Sequence, residues 1–384
     1  MSTTALHGKN SVFLSDQYDL SAYYKTFSFK HSKKAEESTV FGLPDRTFVP
    51  GMQSGTVSGG GLFRGAASAA DADTVLRAAL GDSTNGQILT VGAGGFAIGK
   101  RTRLWQARVT SYDLNVNHDG LIATSFESSS NDGLDAGVSL HDHATVETSS
   151  TNSTSVDQSA SSTKGAIAHL HVIGSATGTA DILVEHSADN SSWATLITFT
   201  QATAAGSQRM EVASGVTINR YVRVKSTLAT TPSFYYAVAF SRRLDVDTAS
   251  FSVELLPQGG TAPKHAFETL PTSFSVDINN DGLVTFSSDF QNTGAVTDTG
   301  TGSSAAGVHG KGTVIKIDDN KGNALTAVTD KGRTWTLKRQ RKEEDSTVFG
   351  KSRMNNVQGL KTSTMSYTGV WDPTIDEHFA GLLG

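Results

Sequence analysis

The sequence contains no cysteine, little proline and no long apolar run. The 384 residues include 0 Cys and 7 Pro, which excludes disulfides, cysteine-based zinc sites and a proline-rich linker protein. No stretch approaches the roughly 18 apolar residues that a membrane helix needs, and residues 1–9 lack the apolar segment of a signal peptide. We therefore expect no membrane insertion, and folding in a cytoplasm.

Hydrophobic residues and positive charge are also scarce. The hydrophobic fraction is 37%, below the usual share for globular domains, and Gly, Ser and Thr make up the difference. The net charge of -5 gives no support for tight nucleic-acid binding, which needs clustered Lys and Arg. This composition predicts many short strands and turns, arranged in two or three domains.

The strongest positive feature is an internal repeat. Residues 30–42 read KHSKKAEESTVFG, and residues 338–350 read KRQRKEEDSTVFG, so the offset is 338 − 30 = 308. The same offset aligns Gly51 with Gly359 and Phe63 with Trp371. Upstream, the His-Gly-Lys of residues 7–9 recurs at residues 309–311.

A second pair of segments repeats in the opposite order along the chain. Residues 111–122 read SYDLNVNHDGLI, and residues 273–284 read SFSVDINNDGLV, at an offset of 162. The first half runs from the His-Gly-Lys block to the Asp-Gly block, whereas the second half runs the other way. This order indicates a duplicated fold whose second copy is circularly permuted, or whose pieces are exchanged between the copies.

Each copy is predicted to hold a hairpin and a short helix. The Asp-Gly pairs at 119–120 and 281–282 lie between alternating runs, which favours hairpins with type I′ turns. A helix is predicted over residues 72–80, capped by Asp71 or Asp73, and another over residues 373–383. The predicted apolar faces of the two helices are Val75, Leu76, Ala79 and Leu80 in the first and Ile375, Phe379, Leu382 and Leu383 in the second.

Between the copies, residues 159–243 predict a different β-rich unit. Turn residues separate six alternating runs, at 166–173, 180–186, 193–199, 209–212, 221–225 and 234–240. We expect Trp193 to fill the core of this sandwich. The Ser/Thr-rich residues 149–162 and residues 258–263 are expected to be linkers on either side.

The paired blocks resemble the tail tube proteins of long-tailed phages. The resemblance consists of His-Gly-Lys, a basic-then-acidic run, Thr-Val-Phe-Gly, Pro50-Gly51 and a Gly-rich strand at residues 55–63. In the second copy Gln358-Gly359 stands where the first has Pro-Gly. The resemblance implies a mainly-β fold: two tube-type β-sandwich or half-barrel domains, each with a short helix, over residues 1–150 and 264–384. An immunoglobulin-like or jelly-roll-like sandwich would be inserted at residues 159–245.

The resemblance also implies a function in the virion. Three such chains would close a ring, and rings would stack into the tube that conducts DNA during ejection. The implied partners are further copies of the chain, the tape-measure, tail terminator and distal tail proteins, and DNA that passes without sequence-specific binding. The chain would be assembled in the host cytoplasm and would reside in the tail tube of the virion, and no cofactor or metal is implied.

The basic-then-acidic runs are the candidate contact residues. Charge runs are usually solvated loops, but their repetition favours a role in contacts between subunits or rings, where charge sets the register. We expect loops at residues 30–55 and 338–362. The candidate residues are Lys30, Lys33, Lys34, Glu36, Glu37, Phe41, Lys338, Arg339, Arg341, Lys342, Glu343, Glu344, Asp345 and Phe349.

Other functions have weaker support in the sequence. A glycan-binding virion protein is the first alternative, with Trp193, Tyr235 and Tyr236 as stacking residues. A hydrolase using His141 or Asp142 is a second, but no G-x-S-x-G nucleophile motif occurs, and no enzyme activity is expected. His141 and His143 lack a third metal ligand, residues 277–282 match only half of an EF-hand loop, and residues 92–97 fit a dinucleotide loop without a following helix.

Overall fold

The chain is a mainly-β protein, as predicted. The computed structural model describes residues 7–40, 43–64, 71–80, 82, 86–130, 133–243, 251–257, 263–300, 313–318, 325–345, 356–373, 375–376 and 379. Within these residues, every strand pair with an assigned register is antiparallel. No helix in this part of the chain is long and apolar enough to cross a membrane.

Three groups of strands follow one another along the chain. The first copy contains β1 (Val12–Ser15), β2 (Tyr18–Asp19), β3 (Tyr24–Glu37), β4 (Phe48–Leu62), α1 (Ala72–Leu80), β5 (Gln87–Gly92), β6 (Arg101–Asn115) and β7 (Ala123–Ser130). The central group contains β8 (Asp135–His141), β9 (Thr151–Asn152), β10 (Val156–Asp157), β11 (Ala166–Ser187), β12 (Ala194–Thr198), β13 (Gly206–Val212) and β14 (Tyr221–Arg242). The second copy contains β15 (Phe251–Leu256), β16 (Lys264–Asn279), β17 (Thr285–Thr299), β18 (Val314–Asp318), β19 (Leu325–Ala327), β20 (Gly332–Asp345) and β21 (Asn356–Val370). Short 3-10 turns occupy Gly8–Asn10, Ser21–Tyr23 and Thr329–Lys331.

The two copies have equivalent strands in a permuted order. Adding 308 to the bounds of β3 and β4 gives the bounds of β20 and β21, and adding 162 to the first residue of β7 gives that of β17. The equivalents of β5, β6 and β7 precede the equivalents of β1 to β4 in the second copy. This order along the chain is that of a circular permutation, and the choice between a permutation and an exchange of pieces between the copies stays open.

The strand registers of the copies also correspond. Phe13 of β1 lies opposite Val91 of β5, and Ile315 of β18 lies opposite Leu255 of β15. Ile315 is the equivalent of Phe13 at an offset of 302, and Leu255 is the equivalent of Val91 at an offset of 164, so the same pair occurs in both copies. A close backbone approach recurs as well. A Cβ on Gly61 would lie 2.1 Å from the Tyr23 carbonyl oxygen, and the equivalent glycine of β21 has the same 2.1 Å approach to Lys331.

One aromatic ring changes strand between the copies. Tyr24 of β3 is buried beside Gly59 of β4, whose added Cβ would lie 3.1 Å from the Tyr24 ring. At the equivalent positions β20 carries Gly332 and β21 carries Tyr367, and an added Cβ on Gly332 would lie 2.4 Å from that ring. The tyrosine and the glycine are therefore exchanged between the two strands of the pair. Each copy has one tyrosine ring at this position in its core.

The chain forms two compact units, each with its own aromatic core. Unit 1 comprises residues 1–30, 54–245 and 276–284, and unit 2 comprises residues 31–53, 246–275 and 285–384. Each unit thus contains a short segment of the opposite copy. The predicted boundaries at residues 1–150, 159–245 and 264–384 stay a prediction. Rings in mutual contact include Phe13, Tyr24, Phe27 and Phe126 in unit 1, and Phe274, Phe286, Phe290, Tyr367 and Phe379 in unit 2.

Both Asp-Gly hairpins are present, but the predicted type I′ turns are wrong. Neither Gly120 nor Gly282 has a positive φ, which a type I′ turn requires. The Gly120 N–H instead donates to the Asn117 carbonyl oxygen (3.3 Å), and Gly282 donates to Asn279 (3.1 Å). The side chains of these two asparagines accept from the backbone two residues on, so an asparagine turn closes each hairpin.

The first helix has the predicted bounds, but its apolar face is narrower. The Asp71 carboxylate accepts the Thr74 N–H at 2.9 Å, so Asp71 is the N-cap. Leu80, predicted on the apolar face, is 45% exposed. In the second copy, the Asp372 carboxylate accepts the Ile375 N–H at 2.9 Å in the same manner. Ile375 and Phe379 are buried, while Leu382 and Leu383 lie outside the described residues.

The central strands are longer than predicted, and one segment predicted as a linker forms two short strands. β11 and β14 each run for 22 residues and merge two predicted runs apiece. Their pairing shifts register near Ile173 and Thr177, where positive φ values at Gly174 and Gly178 bend the chain. The Ser/Thr-rich residues 149–162 are no free linker, because they contain β9 and β10, which pair with β14. The other predicted linker lies almost wholly outside the described residues.

Candidate assembly surfaces

The charged runs lie on strands and not on the predicted loops. Residues 30–37 belong to β3, and residues 338–345 belong to β20. The expectation of loops over 30–55 and 338–362 is therefore wrong for most of both segments, since the described residues form long strands there. The candidate residues on these strands are Lys30, Lys33, Lys34, Glu36, Glu37, Lys338, Arg339, Arg341, Lys342, Glu343, Glu344 and Asp345, whereas Phe41 and Phe349 lie outside the described residues.

On β3, the charged side chains are largely neutralised by near neighbours. The Lys34 Nζ lies 2.8 Å from a Glu36 carboxylate oxygen, and an Arg46 nitrogen lies 3.3 Å from Glu37. Lys33 is buried. Exposed ion pairs of this kind contribute roughly 0–1 kcal/mol, so this run does little to stabilise the strand.

On β20, Arg339 belongs to a polar cluster within unit 2. Its guanidinium makes two bonds to the Asp298 carboxylate, at 2.6 and 2.7 Å. His265 Nδ1 lies 2.6 Å from the same carboxylate. The Arg339 hydrogen bonds hold the pKa of Asp298 well below its usual range. A role for Arg339 between subunits stays a prediction, and its charge is already matched within the chain.

In unit 1, the Asp-Gly hairpin of the second copy docks on the start of the first copy. The Asn280 N–H donates to the Lys25 carbonyl oxygen at 2.8 Å, and the Ser28 hydroxyl donates to Asp277 at 2.6 Å. The Gly8 N–H donates to the Gly282 carbonyl oxygen at 3.0 Å. These bonds make β16 a partner of β3 and connect one copy to the other.

The contact with the hairpin requires a glycine at position 8. A Cβ added to Gly8 would lie 2.1 Å from the Asn279 carbonyl oxygen, so any side chain would push the hairpin away. The His-Gly-Lys motif is therefore a receptor for the hairpin tip. The receptor role of residues 7–9 could not be inferred from the sequence, and the repeat of the motif at residues 309–311 lies outside the described residues.

The equivalent hairpin of the first copy is exposed. Leu114 and Val116 are 47% and 66% exposed, whereas their equivalents at offset 162, Val276 and Ile278, are 2% and 3% exposed. The residue types are apolar in both copies, so the difference arises from docking and not from composition. Neighbouring apolar side chains at such exposure make this hairpin a candidate interaction surface.

The two histidines considered as metal ligands contact separate groups. His141 Nδ1 lies 3.0 Å from the Tyr236 carbonyl oxygen, and burial lowers the pKa of His141. His143 lies after the end of β8 and contacts Asp19 at 3.1 Å. Across the described ranges, no group of three or more His, Cys, Asp or Glu is arranged to hold a metal ion.

A second histidine pair, not singled out from the sequence, joins β5 to the central strands. The Thr90 hydroxyl lies 3.0 Å from His169 Nδ1 and 2.8 Å from His171 Nε2. His171 Nδ1 also lies 2.7 Å from the Asp16 carbonyl oxygen. Both rings are fully buried, and desolvation lowers the pKa of His171 to about 4. The His-x-His spacing within an apolar strand was the available signal, because alternate strand residues share a face.

Trp193 does not fill the core of the central sandwich, contrary to expectation. Its ring is half-buried, and the Arg223 guanidinium lies 4.0 Å from the ring centroid. Arg223 is held in turn by the buried Glu185 carboxylate at 2.7 Å. The covered ring face is unavailable for stacking on a sugar. Of the other two proposed stacking residues, Tyr236 is fully buried, whereas Tyr235 is 40% exposed.

Comparisons with known proteins give weak similarity, and only to solved structures. No family model matches the sequence, and no curated protein is similar to it. Among solved structures, the chain is similar to SPP1 Dit (gp 19.1), a hub adsorption apparatus protein of Gram-positive infecting phages. The identity is 12%, the TM-score is 0.26, and the match covers 61% of this chain and 99% of that one. At this TM-score the similarity supports no conclusion about the fold or function of this chain.

Proposed function

We propose that the chain is a structural protein of a phage tail tube, which assembles into stacked rings through which DNA is ejected. It acts by self-association and not by catalysis. The observation that carries the proposal is the contact of one copy on the other in unit 1, where residues 276–284 dock on the start of the first copy. The resemblance of the repeated motifs to tail tube proteins supports the same function.

A repeated contact of this kind produces a ring. The hairpin and its receptor are different surfaces, so the contact is head-to-tail, and a head-to-tail contact repeats until the rotation closes. Each chain supplies two equivalent copies, and three chains would therefore supply the six positions of a ring. Closing strands across subunits removes exposed strand edges. A second head-to-tail contact along the axis would stack the rings into a tube.

The other proposed partners follow from this role. They are the tape-measure protein that sets tube length, the tail terminator and the distal tail protein at the two ends, and DNA in the lumen. The net charge of -5 suits a surface that DNA passes without adhering, because phosphate binding needs clustered Lys and Arg. The proposed location is the virion tail tube, after assembly in the host cytoplasm.

Electron microscopy and native mass measurement of the purified chain test the proposal. We expect rings whose smallest closed form contains three chains of 40.4 kDa, and stacked tubes at higher concentration. A glycan array with the same protein serves as the counter-test, since the glycan-binding alternative requires specific binding there. A chain that stays monomeric at every concentration and is absent from virion tails would contradict the proposal.

A further inference from the structure

The contact between β3 and β16 defines a donor edge and a receptor edge. In β16, the edge facing away from β17 pairs with β15 as far as Thr269, and nearer the hairpin tip it pairs with β3. Lys25 pairs with Asn280, and Ser28 with Asp277, so both pairs sum to 305 and the contact is antiparallel.

The first copy has the same donor edge without a partner. In β6, the edge facing away from β7 pairs with β5 as far as Ala107, the equivalent of Thr269. Among the described residues, no strand continues along that edge beyond Ala107. Leu121, in the hairpin loop, is 72% exposed.

The second copy has the same receptor edge without a partner. β20, the equivalent of β3, pairs with β21, and this is its one pairing with an assigned register in the described part of the chain. Phe27 and Phe29 of β3 are buried, but their equivalents Trp335 and Leu337 are only half-buried. Apolar side chains thus remain accessible on both unpaired edges.

We propose that the end of β6 and its hairpin loop in one chain pair with β20 of a second copy of the chain. This inference rests on the proposed function, and it specifies which two strands pair between chains and in which register. The register follows from the offsets: 280 − 162 = 118 and 25 + 308 = 333, so the His118 N–H donates to the Arg333 carbonyl oxygen. In the same way, 277 − 162 = 115 and 28 + 308 = 336, which places Asn115 opposite Thr336.

The side chains at these positions suit the contact. The Thr336 hydroxyl can donate to the Asn115 amide oxygen, as the Ser28 hydroxyl donates to Asp277 in the contact within the chain. Leu114 lies where the second copy has the buried Val276. We choose a second copy of the chain as the partner because its β20 is the equivalent of β3. Within one chain, β3 already pairs with β16, the equivalent of β6, in this register.

Disulfide mapping tests this register, and the chain has 0 Cys to interfere. One protein carries Asn115→Cys and the other Thr336→Cys, and the two are co-assembled under mild oxidation. Directly opposite residues on antiparallel strands lie close enough for a disulfide. We expect a cross-linked species of twice the 40.4 kDa chain mass from the mixture, and none from either protein alone. Ser28→Cys with Asp277→Cys in one chain is the positive control.

A shifted pair and a surface variant complete the test. Asn115→Cys with Gln340→Cys should not cross-link, since position 340 lies about 13 Å further along the strand. Leu114→Asp with Val116→Asp should abolish rings, whereas Val216→Asp, at a residue 45% exposed in the turn between β13 and β14, should leave them intact. Tubes that form normally without the 115–336 cross-link would overturn the register and leave the proposed function standing. Absence of tubes in the unmodified protein would instead contradict the function.

Discussion

The tyrosine exchanged between the two copies allows a quantitative test of their equivalence. Tyr24→Gly in the first copy removes a buried ring, which costs about 3–5 kcal/mol of unfolding free energy by loss of packing. Gly59→Tyr alone adds a ring where a Cβ would already lie 2.5 Å from Phe126, and overpacking of this kind costs about 1–3 kcal/mol or more. If the substitutions acted independently, their costs would add.

Together, the two substitutions recreate the arrangement of the second copy. The tyrosine at position 59 takes the place vacated by Tyr24, as Tyr367 does beside Gly332. There the Tyr367 hydroxyl donates to the Val328 carbonyl oxygen at 2.5 Å, and the equivalent acceptor in the first copy is the Leu20 carbonyl. The Tyr24 hydroxyl has no hydrogen-bond partner among the described residues. A new hydrogen bond worth about 0.5–1.5 kcal/mol should therefore offset part of any repacking strain.

We expect the double variant to be within about 1–2 kcal/mol of the unmodified chain, with a coupling energy between the sites of at least about 3 kcal/mol. The assay is urea unfolding of the unassembled chain, followed by the intrinsic fluorescence of its 4 tryptophans. One of them, Trp105, packs on Phe29 in the unit that carries the substitutions. Additive costs in the double variant would show that the two strand pairs do not enclose equivalent space, and would refute the assignment of the copies.

Three further changes probe other parts of the structure. Burial lowers the pKa of His171 from 6.5 to about 4. The neutral ring therefore stabilises the fold fully above pH 6.5, and acidification to pH 5 lowers the free energy of unfolding by about 2 kcal/mol. His171→Gln should flatten the dependence of the urea midpoint on pH, and an unchanged slope would contradict this. Gly61→Val and Gly369→Val should each lower the free energy of unfolding by more than about 3 kcal/mol, because a Cβ meets a carbonyl oxygen at 2.1 Å in both copies. Calorimetry of the two variants checks this, and we expect losses of similar size. Asp71→Ala should cost about 1 kcal/mol by loss of the N-cap, seen as a lower thermal midpoint, while Asp71→Asn should cost much less.

The features that the sequence predicted depend on local chemistry or on repetition. The helix at residues 72–80 was predictable because Asp71 caps it and the apolar spacing is helical. The duplication was predictable because an offset of 308 recurs over residues 30–63, and the structure gives β20 and β21 the bounds of β3 and β4 at that offset. Such signals need no knowledge of distant contacts.

The missed features depend on contacts that are distant along the chain. The docking of residues 276–284 on the first copy depends on the fit of Gly8 against a backbone carbonyl, and no local pattern reports it. The type I′ turns failed because asparagine side chains at 117 and 279 compete for backbone N–H groups and favour another turn. The long strands β11 and β14 were divided because bends at glycine resemble chain reversals in a sequence.

The equivalence of the two hairpins also predicts how assembly depends on concentration. Docking of the second-copy hairpin is intramolecular, so dilution does not weaken it, whereas docking of the first-copy hairpin on another chain requires a second molecule. Backbone hydrogen exchange separates these contacts at matched amides. We expect the Asn280 amide, which donates to Lys25, to be protected at all concentrations. The His118 amide should exchange freely in dilute protein and become protected as rings form. Early protection of His118 in the monomer would show that its edge is covered within one chain, and the pairing of β6 with a second copy would then be wrong.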